Sequence, residues 1–183
     1  MKDHSFTGQR DIVLNLMKTG DHHFRIVSER NVYECERIVP ITNKIDGKFF
    51  MANMKDAEII RNMSYSFQQE EYGDRNDKNE KYMLERGVMP SIPNEIFFKW
   101  VDRGRIKSVL QLRIDKNHSP NIGHFFSDPT ARNRGSGYAF FWNVTNLVLE
   151  KFTCCGLITK RSYEPSNSVF VKTGNKKIYD WKS

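Results

Sequence analysis

The chain has 183 residues, 38% of them hydrophobic and 13% aromatic, which suits one domain with a buried core and leaves room for a short appendage. Its three cysteines, Cys35, Cys154 and Cys155, form no CxxC pair, which argues against a disulfide framework or a zinc site. No apolar run approaches the roughly 18–20 residues that cross a bilayer, and Met1-Lys2-Asp3-His4-Ser5 lacks the apolar segment of a signal peptide, so a cytoplasmic protein with no membrane partner is expected.

Residues 8–19 read as a short helix with Ile12, Leu16 and Met17 on one side and Gly20 as its stop. Extended chain is expected over 24–27 and 32–41, then a turn at Asp46-Gly47 ahead of Lys48-Phe49-Phe50. Met54, Ala57, Ile60, Met63 and Phe67 give residues 53–72 the spacing of an amphipathic helix. The polar stretch 73–80 reads as an exposed loop, followed by a short helix over 80–86. Pro90 and Pro93 then break the helix twice. Two strands, 95–102 and 106–114, joined by Arg103-Gly104-Arg105, suit a hairpin. A strand over 121–128 enters a glycine turn, and a helix over 138–152, with Phe141, Val144, Val148 and Phe152 in register, leaves it. Cys154 and Cys155 close that helix as buried thiols, 157–161 is a strand, 166–172 is a short helix or strand, and 176–181 is a final strand. This order implies an α/β or α+β fold with a mixed sheet.

The turn itself, Asp128-Pro129-Thr130-Ala131-Arg132-Asn133-Arg134-Gly135-Ser136-Gly137, carries the most chemistry. Its glycines allow a sharp turn and a close approach of bare N–H groups to a ligand. The helix that follows places those groups at the positive end of its dipole, and two arginines flank them, which describes a phosphate-binding site. Charge agrees: residues 101–183 hold 14 Lys and Arg against 6 Asp and Glu, so this half of the chain carries the positive surplus and favours a polyanionic partner. No Gly-Lys-Ser/Thr triplet exists, which removes the Walker loop, and Phe140 stands where a dinucleotide fingerprint needs its third glycine.

Pro129, Arg132, Gly135 and Gly137, set between a strand and a helix, resemble the acyl-CoA-binding signature of the GNAT superfamily of N-acetyltransferases. The order of elements from Cys35 onward resembles the family's layout. The resemblance implies a mixed, mostly antiparallel twisted sheet flanked by helices, with 35–183 as the acyltransferase domain and 1–34 as an N-terminal helical extension. It implies acetyl-CoA or another acyl-CoA as co-substrate, with no metal, and direct attack on the thioester by an amine acceptor of unknown identity. The N–H groups of Arg134, Gly135, Ser136, Gly137 and Tyr138 would hold the pyrophosphate. Arg132 and Asn133 belong to the same turn, and the backbone around Phe126 and Ser127 would pair with the pantetheine arm where the strand splays from its neighbour.

Candidates for proton transfer are fewer. His124 and Asp128 lie on the strand before the turn, where family bases often sit, and a period of two puts both on one face. An unperturbed His124 titrates near neutrality. Aligning on Gly174 places Phe170 where the family's tyrosine protonates the leaving thiolate, so either another group such as Tyr163 or Tyr179 serves, or the acid is dispensable, or the chemistry is lost. His22-His23 and Glu34-Cys35-Glu36 lack the convergence of metal ligands. Gln68-Gln69-Glu70-Glu71 reads as an exposed helix end that could attract a cationic amine. Two other readings remain open at this point: a nucleic-acid-binding or nucleic-acid-modifying protein, from clusters such as Lys160-Arg161 and Lys176-Lys177, and a degenerate family member kept as an interaction module.

Overall fold

The computed structural model describes residues 7–19, 26–42, 45–73, 89–92 and 96–182. His22-His23, the expected helix over 80–86 and most of the polar stretch 73–80 lie outside these residues. In chain order the strands are β1 (Gly8–Gln9), β2 (Glu29–Cys35), β3 (Lys48–Met51), β4 (Phe97–Asp102), β5 (Arg105–Ile114), β6 (Pro120–Ser127), β7 (Cys155–Lys160) and β8 (Lys176–Lys182). The helices are α1 (Arg10–Thr19), α2 (Ala57–Tyr72), α3 (Ser136–Leu149) and α4 (Glu164–Thr173).

All the strands join one sheet in the order β1-β8-β2-β7-β6-β5-β4-β3. Every neighbouring pair is antiparallel except β6 and β7, which run parallel. The fold is therefore α/β with a mixed, mostly antiparallel sheet flanked by helices, as the order of elements implied. The 34/35 boundary expected from sequence falls inside β2, which pairs with β7 on one side and β8 on the other.

Two apolar layers sandwich the sheet. On one face α3 and α4 cover Tyr33, Leu110, Ile122 and Leu157 with Phe140, Phe141, Val144, Val148 and Phe170. On the other, α2 lowers Ile60 and Met63 onto Phe97, Val109 and Phe126. Helix α2 starts from a reciprocal cap: Asn53 accepts the Lys55 N–H at 3.0 Å while Asp56 accepts the Asn53 N–H at 2.9 Å. Asp56 also meets Lys99 of β4 at 2.6 Å, which ties the helix start to the sheet.

Two local expectations change and one open choice is resolved. In α1 the buried residue is Val13, whereas Ile12 and Leu16 are 58% and 51% exposed, because the helix lies on the sheet edge beside β8 and covers little of it. Cys155 opens β7 rather than closing a helix; its burial, opposite Cys35 of β2, pushes its pKa up to about 12, so the thiol stays protonated. Residues 166–172 lie within a helix, α4, whose Asn167, Phe170 and Thr173 turn inward at helical spacing.

Candidate functional site

Parallel pairing between β6 and β7 is confined to Asn121↔Gly156 and Ile122↔Leu157. Beyond this point the two strands part, and a cleft of about 1130 Å³ opens between them, lined by β6, β7, α2, α4 and the glycine turn. The cause sits in β6. Between the pairs Val109↔Phe126 and Gln111↔Gly123, three steps on β6 answer two on β5, which is a bulge. His124 takes φ +48° there, a left-handed conformation uncommon for residues other than glycine.

The bulge resets which side chains face which way. Ile122 and Phe125 pack toward α3 and α4, while Phe126 packs among the α2 contacts. His124 also turns to α2, its ring 4.4 Å from Phe67 and 5.9 Å from Phe97. It lines the cleft at 6% exposure, with Nε2 buried and without a hydrogen-bond partner. Desolvation, reinforced by the nearby Arg113 charge, lowers its pKa to about 3. The neutral-range titration expected from sequence is thus displaced by burial, and His124 is a neutral imidazole at physiological pH.

Asp128 stands past the end of β6 and caps the 3-10 turn Pro129–Ala131, accepting the Thr130 N–H at 2.8 Å and the Thr130 hydroxyl. Those hydrogen bonds, the side-chain one first, hold its carboxyl below the usual range. It does not line the cleft, and it does not share a face with His124 because the strand ends before it. Its part in the molecule is to shape the turn.

The turn that follows is built for backbone donation. Asn133 (φ +61°) and Gly135 (φ +79°) both take left-handed conformations. A side chain on Gly135 would be strained there, and its Cβ would lie 2.8 Å from Ile45 Cδ1. The first hydrogen bond of α3 runs from the Ala139 N–H to the Gly135 carbonyl at 3.0 Å. The N–H groups of Ser136, Gly137 and Tyr138 consequently have no acceptor inside the helix. Asn133, Gly135, Gly137 and Tyr138 line the cleft, with exposed Arg134 between them. Ser136 turns its hydroxyl to the Ala131 carbonyl at 3.3 Å.

Arg132 does different work from that expected of a free phosphate ligand. Its Nε donates to the Ser127 carbonyl at 3.0 Å, its Nη2 meets Glu70 at 2.7 Å, and its guanidinium lies 5.2 Å from the Phe126 ring. One planar fork thereby fixes the turn to the end of β6 and to the end of α2. Phe126 is buried beneath it, and the Ser127 hydroxyl is shared with Ser108 at 2.7 Å, so both residues offer the cleft main chain rather than reactive side chains.

Phe170 is buried against Phe141 at 4.8 Å and belongs to the aromatic core. Among the tyrosines weighed in its place, Tyr163 opens α4 at the cleft wall, whereas Tyr179 lies on β8 beside Trp181 and outside the cleft. Neighbouring Asn167 is committed to structure: its Oδ1 accepts from the Tyr33 hydroxyl at 3.0 Å and from Asn31 at 2.9 Å.

The acidic end of α2, expected as an exposed helix end that could attract a cationic amine, has its two carboxylates paired with arginines. Glu71 reaches across the opening to Arg30 of β2 at 2.8 Å, and Glu70 reaches Arg132. The acidic helix end is therefore a strap held to both arms of the split sheet. Sequence reasoning missed Arg113 and Gln111, on alternate residues of β5. Alternation on β5 pointed to them only once β5 had a neighbour and a buried face.

No family model and no curated protein matches the chain. Its fold is that of the GNAT acetyltransferases. It is similar to an acetyltransferase of the GNAT family from Colwellia psychrerythraea, with a TM-score of 0.67 at 9% identity over 96% of this chain and 63% of that one. It thus spans just under two thirds of that protein. The PaiA N-acetyltransferase of Thermoplasma acidophilum in complex with coenzyme A matches with a TM-score of 0.58 at 13% identity, over 76% of this chain and 99% of its own. A predicted acetyltransferase with acetyl-CoA from Clostridium acetobutylicum gives 0.55 at 16% identity, over 72% and 91%. At such identities the likeness is one of fold.

Proposed function

We propose that the protein is an acyltransferase that moves an acetyl or related acyl group from acyl-CoA to an amine. The observation that carries this reading is the β6–β7 split, which ends at a helix start whose first N–H groups have no intrahelical acceptor. Solved proteins of the same fold that hold coenzyme A or acetyl-CoA support it.

The residues fit such a co-substrate. The N–H groups from Arg134 to Tyr138 would hold the pyrophosphate, and the β6 main chain at Phe126 and Ser127, freed from β7, would pair with the pantetheine amides. Acyl-CoA supplies a thioester carbon open to attack by a neutral amine. The chain's own task is to bind, to orient and to manage two protons, the one the amine releases and the one the thiolate takes up. His124, buried among aromatic rings with its pKa lowered to about 3, is too weak a base to take the amine's proton and serves to orient. Tyr163, a residue of the cleft wall, is the donor to the thiolate. The amine's proton leaves to the solvent that fills the cleft.

Calorimetric titration with acetyl-CoA tests the binding half. Gly135→Ala combined with Gly137→Val should abolish binding in a folded protein; unchanged affinity would sink the proposal. Tyr163→Phe tests the chemical half, with kcat expected to fall about 100-fold or more, as for loss of a general acid, and the acetyl-CoA affinity retained.

A further inference from the structure

We infer that Arg113 anchors a carboxylate on the acceptor, so that the acceptor is an amino-acid-like molecule carrying its amine and a carboxylate together. This rests on the acyltransferase reading above and names the substrate class of that same site.

Arg113 is placed as a ligand group. Gln111, 2% exposed, accepts its Nε–H at 2.9 Å, which fixes the plane of the guanidinium; among the described residues neither terminal nitrogen has a hydrogen-bond partner. Val109 faces α2 and Leu110 faces α3, so alternation along β5 puts Gln111 and Arg113 on the α2 face, with His124. Arg113 lies over Gly123: a Cβ built there would be in ordinary contact with its Nε, at 3.9 Å. A guanidinium oriented in this way offers the two parallel donors that a carboxylate accepts bidentately.

Position separates this group from the co-substrate's phosphates. Arg113 pairs in register with Asn121, at the closed end of the split, while the glycine turn follows Ser127 at the open end. Six strand residues, about 20 Å at the usual rise, lie between them. The closed end is the end to which a pantetheine arm starting at the turn would point.

Charge balance favours an anion there. The cleft is lined by Arg30, Arg113, Arg132, Lys160 and Lys172 against Glu70 and Glu71. Both carboxylates are already paired, with Arg132 and Arg30, while Arg113 and Lys160 have no acidic partner among the described residues.

The test compares wild type, Arg113→Gln and Arg113→Lys on three sets of amines: the twenty amino acids, their carboxamides, and spermidine. Thiol release with acetyl-CoA gives kcat/KM, thermal shift with each amine gives binding alone, and calorimetry gives acetyl-CoA affinity for each preparation. Wild type should prefer an amino acid over its carboxamide by about 10- to 100-fold, the worth of a charged hydrogen-bonded contact. In Arg113→Gln that preference should collapse toward one, mostly through KM, with acetyl-CoA affinity retained, and Arg113→Lys should restore little because it lacks the fork. Equal use of acids and carboxamides, preference for spermidine, or turnover of none of these amines by an acetyl-CoA-binding enzyme overturns the inference. Failure of acetyl-CoA to bind instead overturns the acyltransferase reading. In that case, thermal stabilisation by amino acids that depends on Arg113 still supports the carboxylate anchor, and its absence ends it.

Discussion

At its open end the cleft meets a turn that presents main-chain N–H groups without an intrahelical acceptor, whereas its α2 side is lined by side chains held in ion pairs and hydrogen bonds. The first end depends on backbone conformation at two or three residues, Asn133, Gly135 and the start of α3. The second depends on elements distant in sequence: Glu70 and Glu71 at the end of α2, Arg30 on β2, Arg132 after β6, and Gln111 with Arg113 on β5. A backbone site is insensitive to most side-chain changes and intolerant of a few. A side-chain site is the reverse, which lets one fold keep its co-substrate while its acceptor changes.

The largest break in this contrast is expected from Gly135→Val. The left-handed φ and the contact with Ile45 would force the turn out of shape, with a strain of about 1–3 kcal/mol and a loss of acetyl-CoA affinity of about 10- to 100-fold. Calorimetry reads it, with circular dichroism as the check on folding.

Arg132→Ala is next. It removes the bond to the Ser127 carbonyl and the pairing with partly exposed Glu70, and should cost about 1–2 kcal/mol of stability in urea unfolding. Arg132→Lys should recover less than half of this, because lysine cannot serve two acceptors through one planar fork.

His124 sharpens the contrast by pH. Its folded pKa lies below the unfolded value of 6.5, so the unfolded chain binds the extra proton, and stability present above pH 6.5 is lost as pH falls toward 3. The melting temperature should therefore decline between pH 6.5 and 5, above the range in which Asp128 and the other depressed carboxylates take part. His124→Asn, which tolerates the left-handed backbone, should flatten that slope. An unchanged slope would contradict the burial assigned to the ring.

The smallest effect is expected from Glu71→Gln, which loosens the strap across the opening. A loss of about 1 kcal/mol or less is expected for such a pair, together with faster amide exchange at the end of α2.

The glycine turn was legible because its requirement is local: glycine at a left-handed position, a proline before it and a helix after it leave a mark in ten consecutive residues. The α2 amphipathic spacing and the β4–β5 hairpin were readable for the same reason, since each is a pattern within one element. His124 shows the limit. Its neighbours in sequence suggest a strand histidine with an ordinary pKa, and only the bulge in β6, with Phe67 and Phe97 from other elements, makes it buried and neutral. Arg132 was read as a free cation, and its engagement required Glu70, sixty-two residues away.

The sequence by itself determined the turn, the helix that leaves it, the strand that enters it and the mixed α/β order of elements, because these follow from backbone preferences and short-range periodicity. Long-range packing settles that β6 and β7 part after two residue pairs, that Asp128 shapes a turn outside the cleft, and that Arg113 stands at the closed end with no acidic partner among the described residues. Those outcomes depend on strand neighbours, on a one-residue bulge and on which charges find partners, and each of these is fixed by residues far apart along the chain.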